Sequence, residues 1–181
     1  MKIRHIISTD ENGGYSRGGE TPWQLPGELA AMRSTMEKFG GIVLLGRATW
    51  LVIEQNARHK NALNPSFGKR HLHVVSSRSL DLPPGVIRVA DIDNFVKERQ
   101  MANQDFWVAS GGLYADKRLV PDEVWRTAVK GDYGCDAFYT VPATMRLMET
   151  SDWHEENGSH YRYELYERLQ LGSVACENIA L

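Results

Sequence analysis

Neither an excess of one charge nor a long apolar run marks this sequence. Its 181 residues carry 21 Lys and Arg against 23 Asp and Glu, a formal net charge of −2. A nucleic-acid partner is not expected, because phosphate backbones are gripped by basic surfaces. A small anionic ligand held by a few local arginines stays open. The opening Met1-Lys2-Ile3-Arg4-His5-Ile6-Ile7-Ser8 mixes charge into its apolar residues. It therefore lacks a signal peptide's apolar core, and no stretch reaches the length of a membrane span. Cys135 and Cys176 are the only cysteines and have no metal-type spacing. No disulfide framework and no metal site are expected, and a reducing cytoplasm fits. Internal repeats and low-complexity linkers are also absent.

What is present is an ordinary globular balance, with 42% hydrophobic and 24% charged residues, enough for one domain with a sizeable core. Short apolar runs occur at 3–7, 42–45, 72–75, 86–89 and 106–109. Ile42-Val43-Leu44-Leu45 does not alternate, so both of its faces should be buried, as in a parallel sheet covered by helices. Helix-like stretches at 25–38, 47–55, 91–100 and 112–118 lie between the runs, and the alternation predicts an α/β fold. Residues 123–129 and 161–167 alternate and are rich in Tyr, Val and Trp, which suits strands of an antiparallel end. Residues 54–69 read as a long polar loop. After residue 168 no pattern is visible, so 169–181 is expected to be a partly disordered tail.

Thr21-Pro22-Trp23-Gln24-Leu25-Pro26-Gly27-Glu28 leads into the first helix. Pro26 suits a first helical position, where its missing N–H is not needed. Leu25, Leu29, Met32 and Met36 form one apolar stripe, and Glu28 falls on its edge. Two readings are open. Glu28 is a helix-start acid favoured by the macrodipole, or a partly buried acid that grips a cationic or amidine-like ligand or moves a proton. Burial raises its proton affinity and the helix N-terminus lowers it.

Three strand ends are polar or glycine-rich. Gly46-Arg47-Ala48-Thr49-Trp50 follows the buried run, Ser76-Ser77-Arg78 follows the run at 72–75, and Ser110-Gly111-Gly112 follows that at 106–109. Free N–H groups at such ends suit an anion, and Arg47 adds a charge-assisted donor. Together they make a dinucleotide crevice plausible. The segment 12–20, with four glycines, reads as a mobile loop able to lie close to a ligand.

In order, P-W-Q-L-P-G-E-L, G-R-A-T-W, V-V-S-S-R, S-G-G-L-Y and H-Y-R-Y-E-L-Y-E-R resemble the motifs of dihydrofolate reductases over residues 3–168. The resemblance implies a mainly parallel eight-stranded sheet flanked by helices, with antiparallel C-terminal strands. It implies hydride transfer from NADPH to C6 of dihydrofolate with protonation at N5. By position, Glu28 resembles the active-site carboxylate, Thr127 a partner in its hydrogen-bond network and Trp23 the tryptophan that holds an ordered water nearby. Ile6, Leu29, Met32 and Ile53 resemble the apolar walls around the substrate, and Arg70 the arginine for the substrate's glutamate carboxylate. Arg47, Ser77 and Arg78 resemble the group around a 2′-phosphate, and Thr49 a pyrophosphate contact. Gly111 and Gly112 resemble a glycine pair joined by a cis peptide beside the nicotinamide, Tyr114 a tyrosine near that ring, and Ser8 a backbone contact to the carboxamide.

The chain departs from that pattern in places. Ser110 stands where an apolar residue usually closes the pterin pocket, and Met32 where an aromatic is common. The helix after Gly112 is about two residues short, and 54–69 contains an insertion of about ten. A monomer with a small-molecule substrate is expected. Two other readings remain: a riboflavin-pathway-type pyrimidine reductase of the same fold, and a non-catalytic dinucleotide-binding protein. Trp23, Glu28 and Thr127 together argue against the first.

Overall fold

The computed structural model describes residues 1–59 and 70–169. In chain order the elements are β1 (Ile3–Thr9), β2 (Gly14–Ser16), α1 (Pro26–Lys38), β3 (Ile42–Gly46), α2 (Arg47–His59), β4 (His71–Val75), β5 (Ile87–Val89), α3 (Ile92–Met101) and β6 (Phe106–Val108). They continue with β7 (Glu123–Val129), β8 (Ala137–Phe138), β9 (Met145–Thr150), β10 (His154–Glu156) and β11 (Ser159–Arg168). The main sheet runs β10-β11-β7-β1-β6-β3-β4-β5, with β9 also paired to β11. Pairs from β7 through β5 are parallel, and those involving β11 are antiparallel. This is the mainly parallel α/β fold with antiparallel C-terminal strands.

The buried run of β3 shows why the helices lie on both faces. Ile42 and Leu44 join Phe95, Phe106 and Leu119 in the cluster beneath α3. Val43 and Leu45 point the other way, into a cluster with Met36 of α1, Trp50 of α2 and Trp107. Period-two alternation divides one continuous apolar run between two cores. α3 starts at Asp91, whose side chain accepts from the N–H groups of Asp93 and Asn94, a cap that satisfies donors with no partner inside the helix. Farther along the sheet, buried Glu164 of β11 receives Arg126 of β7 at 3.3 Å and Arg162 at 2.7 Å, beside the register that sets Thr127 opposite Tyr163.

Three expectations change. Residues 112–118 form no single helix; two short 3-10 turns, Gly111–Leu113 and Lys117–Leu119, replace it. A glycine pair at the start is a poor place to nucleate a longer helix, and the Asp116 side chain opens the second turn by accepting from Arg118 N–H. Residues 54–59 continue α2 rather than opening a loop, while 60–69 lie outside the described residues. The glycine-rich loop contains β2, fastened to β8. The expectation for 170–181 also lies outside the described residues. No helix among those described is long and apolar enough to cross a membrane.

Candidate active site

Glu28 sits in the first turn of α1, whose opening has Pro26 and no side-chain cap. Glu28 is only 4% exposed, whereas neighbouring Leu29 is 43% exposed. The apolar stripe read from the sequence is thus corrected: the acid is inside and the leucine is not. Consecutive helical residues point about 100° apart, and the helix is turned so that Glu28 meets β7. There the Thr127 hydroxyl donates to Glu28 Oε1 at 2.7 Å. Burial raises the proton affinity of Glu28 above the usual carboxylate value, the Thr127 bond opposes this, and the Glu156 carboxylate adds to the rise. Desolvation outweighs the helix terminus here, and the reason is local. The N–H groups of Gly27 and Glu28 are directed at Glu156, at 2.8 and 3.4 Å, and are not free to favour the Glu28 carboxylate.

Around this pair the sheet and α1 leave a slot of about 40 Å³ lined by Ile6, Met32, Thr35, Thr127 and Tyr163. Met32 and Ile53 are half-buried and pack on the cluster of Trp50 and Trp107. Trp23 is buried against Leu25, Val129 and Tyr161, with its ring edge-on to Tyr133 at 5.2 Å. Arg70 stands at the start of β4, its Nε 3.7 Å from Glu37 of α1. Glu37 follows Glu28 by nine positions of helix, a rise of about 13 Å, so Arg70 lies along α1 well away from the acid.

At the carboxyl ends of β4 and β5 lies a larger cleft of about 610 Å³. Arg47, Ser77 and Arg78 line it together, beside Asp91 and Asp93. Arg118, which the sequence did not single out, lines it too. Its guanidinium is fixed by Asp116 at 2.7 Å and Asp93 at 3.0 Å. The D-K-R triplet gave no sign of this, because the second carboxylate comes from α3.

Thr49 and Ser110 join the ends of β3 and β6, their hydroxyls 2.9 Å apart. Gly46 leaves the space for this, since a Cβ there would stand 2.7 Å from Ser110 Oγ. The smaller side chain at 110 is thus occupied with a polar partner rather than closing an apolar wall. Gly111 lies under Tyr15, whose hydroxyl would be 2.5 Å from a Cβ at that position, while Gly112 is open. All peptide bonds among the described residues are trans, so the cis link implied for the glycine pair is not present. The chain here enters a 3-10 turn, with Leu113 N–H donating to Ser110 O. Tyr114 donates its hydroxyl to the Ile6 carbonyl at 2.6 Å. Ser8 Oγ is buried and, among the described residues, has no hydrogen-bond partner.

A buried acid and an arginine-lined cleft at the strand ends of one sheet suit an α/β enzyme that acts on a small molecule. Comparison narrows the class. The family model described as dihydrofolate reductase matches residues 2–168, and the chain belongs to that family. It is 25% identical to the dihydrofolate reductase of Drosophila melanogaster, covering 93% of this chain and 98% of the relative. It is 25% identical to that of Bos taurus, covering 90% and 95%, and 28% identical to that of Mycobacterium tuberculosis, covering 87% and 92%. Length is shared while most side chains differ. Family membership makes the chain an oxidoreductase and implies a nicotinamide dinucleotide cofactor in general terms.

Proposed function

We propose that this enzyme reduces 7,8-dihydrofolate to 5,6,7,8-tetrahydrofolate, with NADPH as the reductant. The observation that carries the reading is the buried Glu28 carboxylate, held at 2.7 Å by Thr127, which itself lines the slot beneath α1. A pterin presents paired N–H donors on its 2-amino edge, and two carboxylate oxygens match them. Glu28 orients the ring. Its raised proton affinity favours the protonated form, and a water held beside Trp23 relays a proton to N5. Such acid–base help is worth about 10² to 10⁴ in rate. Ile6, Leu29, Met32 and Ile53 supply apolar walls. The slot is far smaller than ligand pockets of about 300–1,000 Å³, so a ring enters as the unbranched Met32 side chain turns aside. Arg70 offers a guanidinium to the substrate's distal carboxylate, and Ser110 borders the ring on the opposite side.

The cleft at the other strand ends fits a phosphorylated nucleotide. Arg47 and Arg78 with the Ser77 hydroxyl are donors suited to a 2′-phosphate, which favours NADPH over NADH. Thr49 would hold the pyrophosphate, Gly112, open where a Cβ would stand, would allow close backbone approach beside Gly111, and Ser8 and Tyr114 would border the nicotinamide. When bound, that cofactor supplies the hydride that adds at C6. The test is NADPH consumption with dihydrofolate. The parent turns over and Glu28→Gln loses about 10² to 10⁴ in kcat/KM. An inactive parent refutes the reaction, and an undiminished variant refutes the role of Glu28.

A further inference from the structure

The β10–β11 turn, Glu156-Asn157-Gly158, reaches the start of α1 from both sides. Glu156 accepts from Gly27 N–H through both oxygens, at 2.8 and 3.1 Å, and from Glu28 N–H at 3.4 Å. Asn157 Nδ2 donates to the Gln24 carbonyl at 2.8 Å. Gly27 makes the approach possible: a Cβ at 27 would already lie 3.1 Å from both Glu156 oxygens. Glycine is otherwise a poor helix residue, so its place in this first turn matches the close approach of the carboxylate.

We propose that Glu156 is a positioning residue for the active-site acid: it fastens the first turn of α1 to the β10–β11 turn and so fixes where the Glu28 carboxylate points. The inference rests on Glu28 being that acid. Its electrostatic consequence follows from the same contacts. Two carboxylates share one helix start, and Glu156 takes the N–H groups that would otherwise favour an ionised Glu28. Glu156 therefore favours the protonated form of Glu28. Thr127 of β7 opposes this through its hydrogen bond to Glu28 but does not titrate, so its effect is the same in the parent and in Glu156 variants. Tyr163 of β11 stays neutral, because burial pushes its phenol up. Behind Tyr163 stand Tyr161, and His154 of β10 with its ring centroid at 5.3 Å. Among the described residues no lysine or arginine pairs with Glu28.

The test uses the full chain labelled with carboxyl-¹³C glutamate. The Glu28 resonance, assigned by its loss in Glu28→Gln, is titrated without substrate. Glu156→Gln shifts its midpoint to lower pH. Glu156→Asp, which keeps the charge, retains most of the parent midpoint. Glu155→Gln, on an exposed neighbour that faces His160, leaves it unmoved. Glu156→Ser serves as a second charge-free variant if the glutamine form does not fold. In turnover, the alkaline fall of kcat/KM moves to lower pH with the midpoint, and KM for dihydrofolate rises more in Glu156→Ser than in Glu156→Asp. A folded charge-free variant whose Glu28 midpoint matches the parent overturns the proposal. Because the titration needs no substrate, that outcome is separate from an absence of dihydrofolate turnover.

Discussion

Replacing Thr127 by valine keeps the shape of a buried residue and removes the one hydroxyl that donates to Glu28, at 2.7 Å. The cost depends on the protonation state of the acceptor. A hydrogen bond to a charged group is worth about 1.5–3 kcal/mol, and one between neutral groups about 0.5–1.5 kcal/mol. The Thr127 bond favours the ionised form of Glu28, against the burial that disfavours it. Because the folded-state proton affinity of Glu28 is raised, its contribution to stability is fullest below the unfolded carboxylate value, about 4.3. That contribution is lost as pH rises through the folded value. Valine at 127 raises the folded value further, so the variant loses most at alkaline pH and least where Glu28 is protonated in both proteins. At about 2–4 °C per kcal/mol for a chain of this size, Thr127→Val should melt about 3–12 °C below the parent at pH 8. The gap should narrow by about half near pH 4.5, where the lost bond is one between neutral groups. Thermal melts by circular dichroism at the two pH values are the assay. A gap below about 1 °C at pH 8, or an equal gap at both, refutes the reasoning.

His5 is buried, with Nε2 donating to the Leu119 carbonyl and Nδ1 accepting from the Tyr139 hydroxyl. Burial lowers its pKa to about 4 from 6.5, so stability is lost as pH falls through that window, by about 3 kcal/mol from this residue. Urea titrations at pH 7 and 4.5 should show a smaller acid loss in His5→Gln than in the parent; equal losses rule this out. Arg4 Nε lies 2.7 Å from Glu123 Oε2 with both side chains buried. Arg4→Met should therefore cost about 3–5 kcal/mol, and Arg4→Met with Glu123→Gln should cost less. Denaturant midpoints decide, and a double variant no better than the single one counts against the pair. Arg47→Ala and Arg78→Ala should each raise KM for NADPH by about 10-fold or more, with a smaller rise for NADH. An equal effect on both cofactors would remove these arginines from the 2′-phosphate.

Much of the fold was legible because its signals are local. The unbroken apolar run at 42–45 predicted a strand with two buried faces, and Val43 and Leu44 do point into different cores. The strand-end motifs were equally readable: Arg47 stands 30 residues before the Ser77-Arg78 pair, and all three line one cleft. Two features depart from these local signals, the placement of Leu29 and the form of residues 112–118. Helical spacing puts Leu29 on the apolar stripe, yet it is exposed. Spacing fixes the angle between side chains and not the rotation of the helix on the sheet. Residues 112–118 had helical composition, but the Asp116 side chain and the glycine pair broke them into two tight turns.

The sequence by itself determined the α/β order of elements, the dinucleotide-type strand ends and the acid in the first turn of α1. All of these follow from periodicity and turn chemistry within a few residues. The tertiary structure alone decided the state of that acid. Whether burial or the helix terminus governs Glu28 depends on Thr127, 99 residues away in sequence, and on Glu156, 128 residues away. Desolvation and charge pairing depend on distance in space, and only the folded sheet brings those groups together.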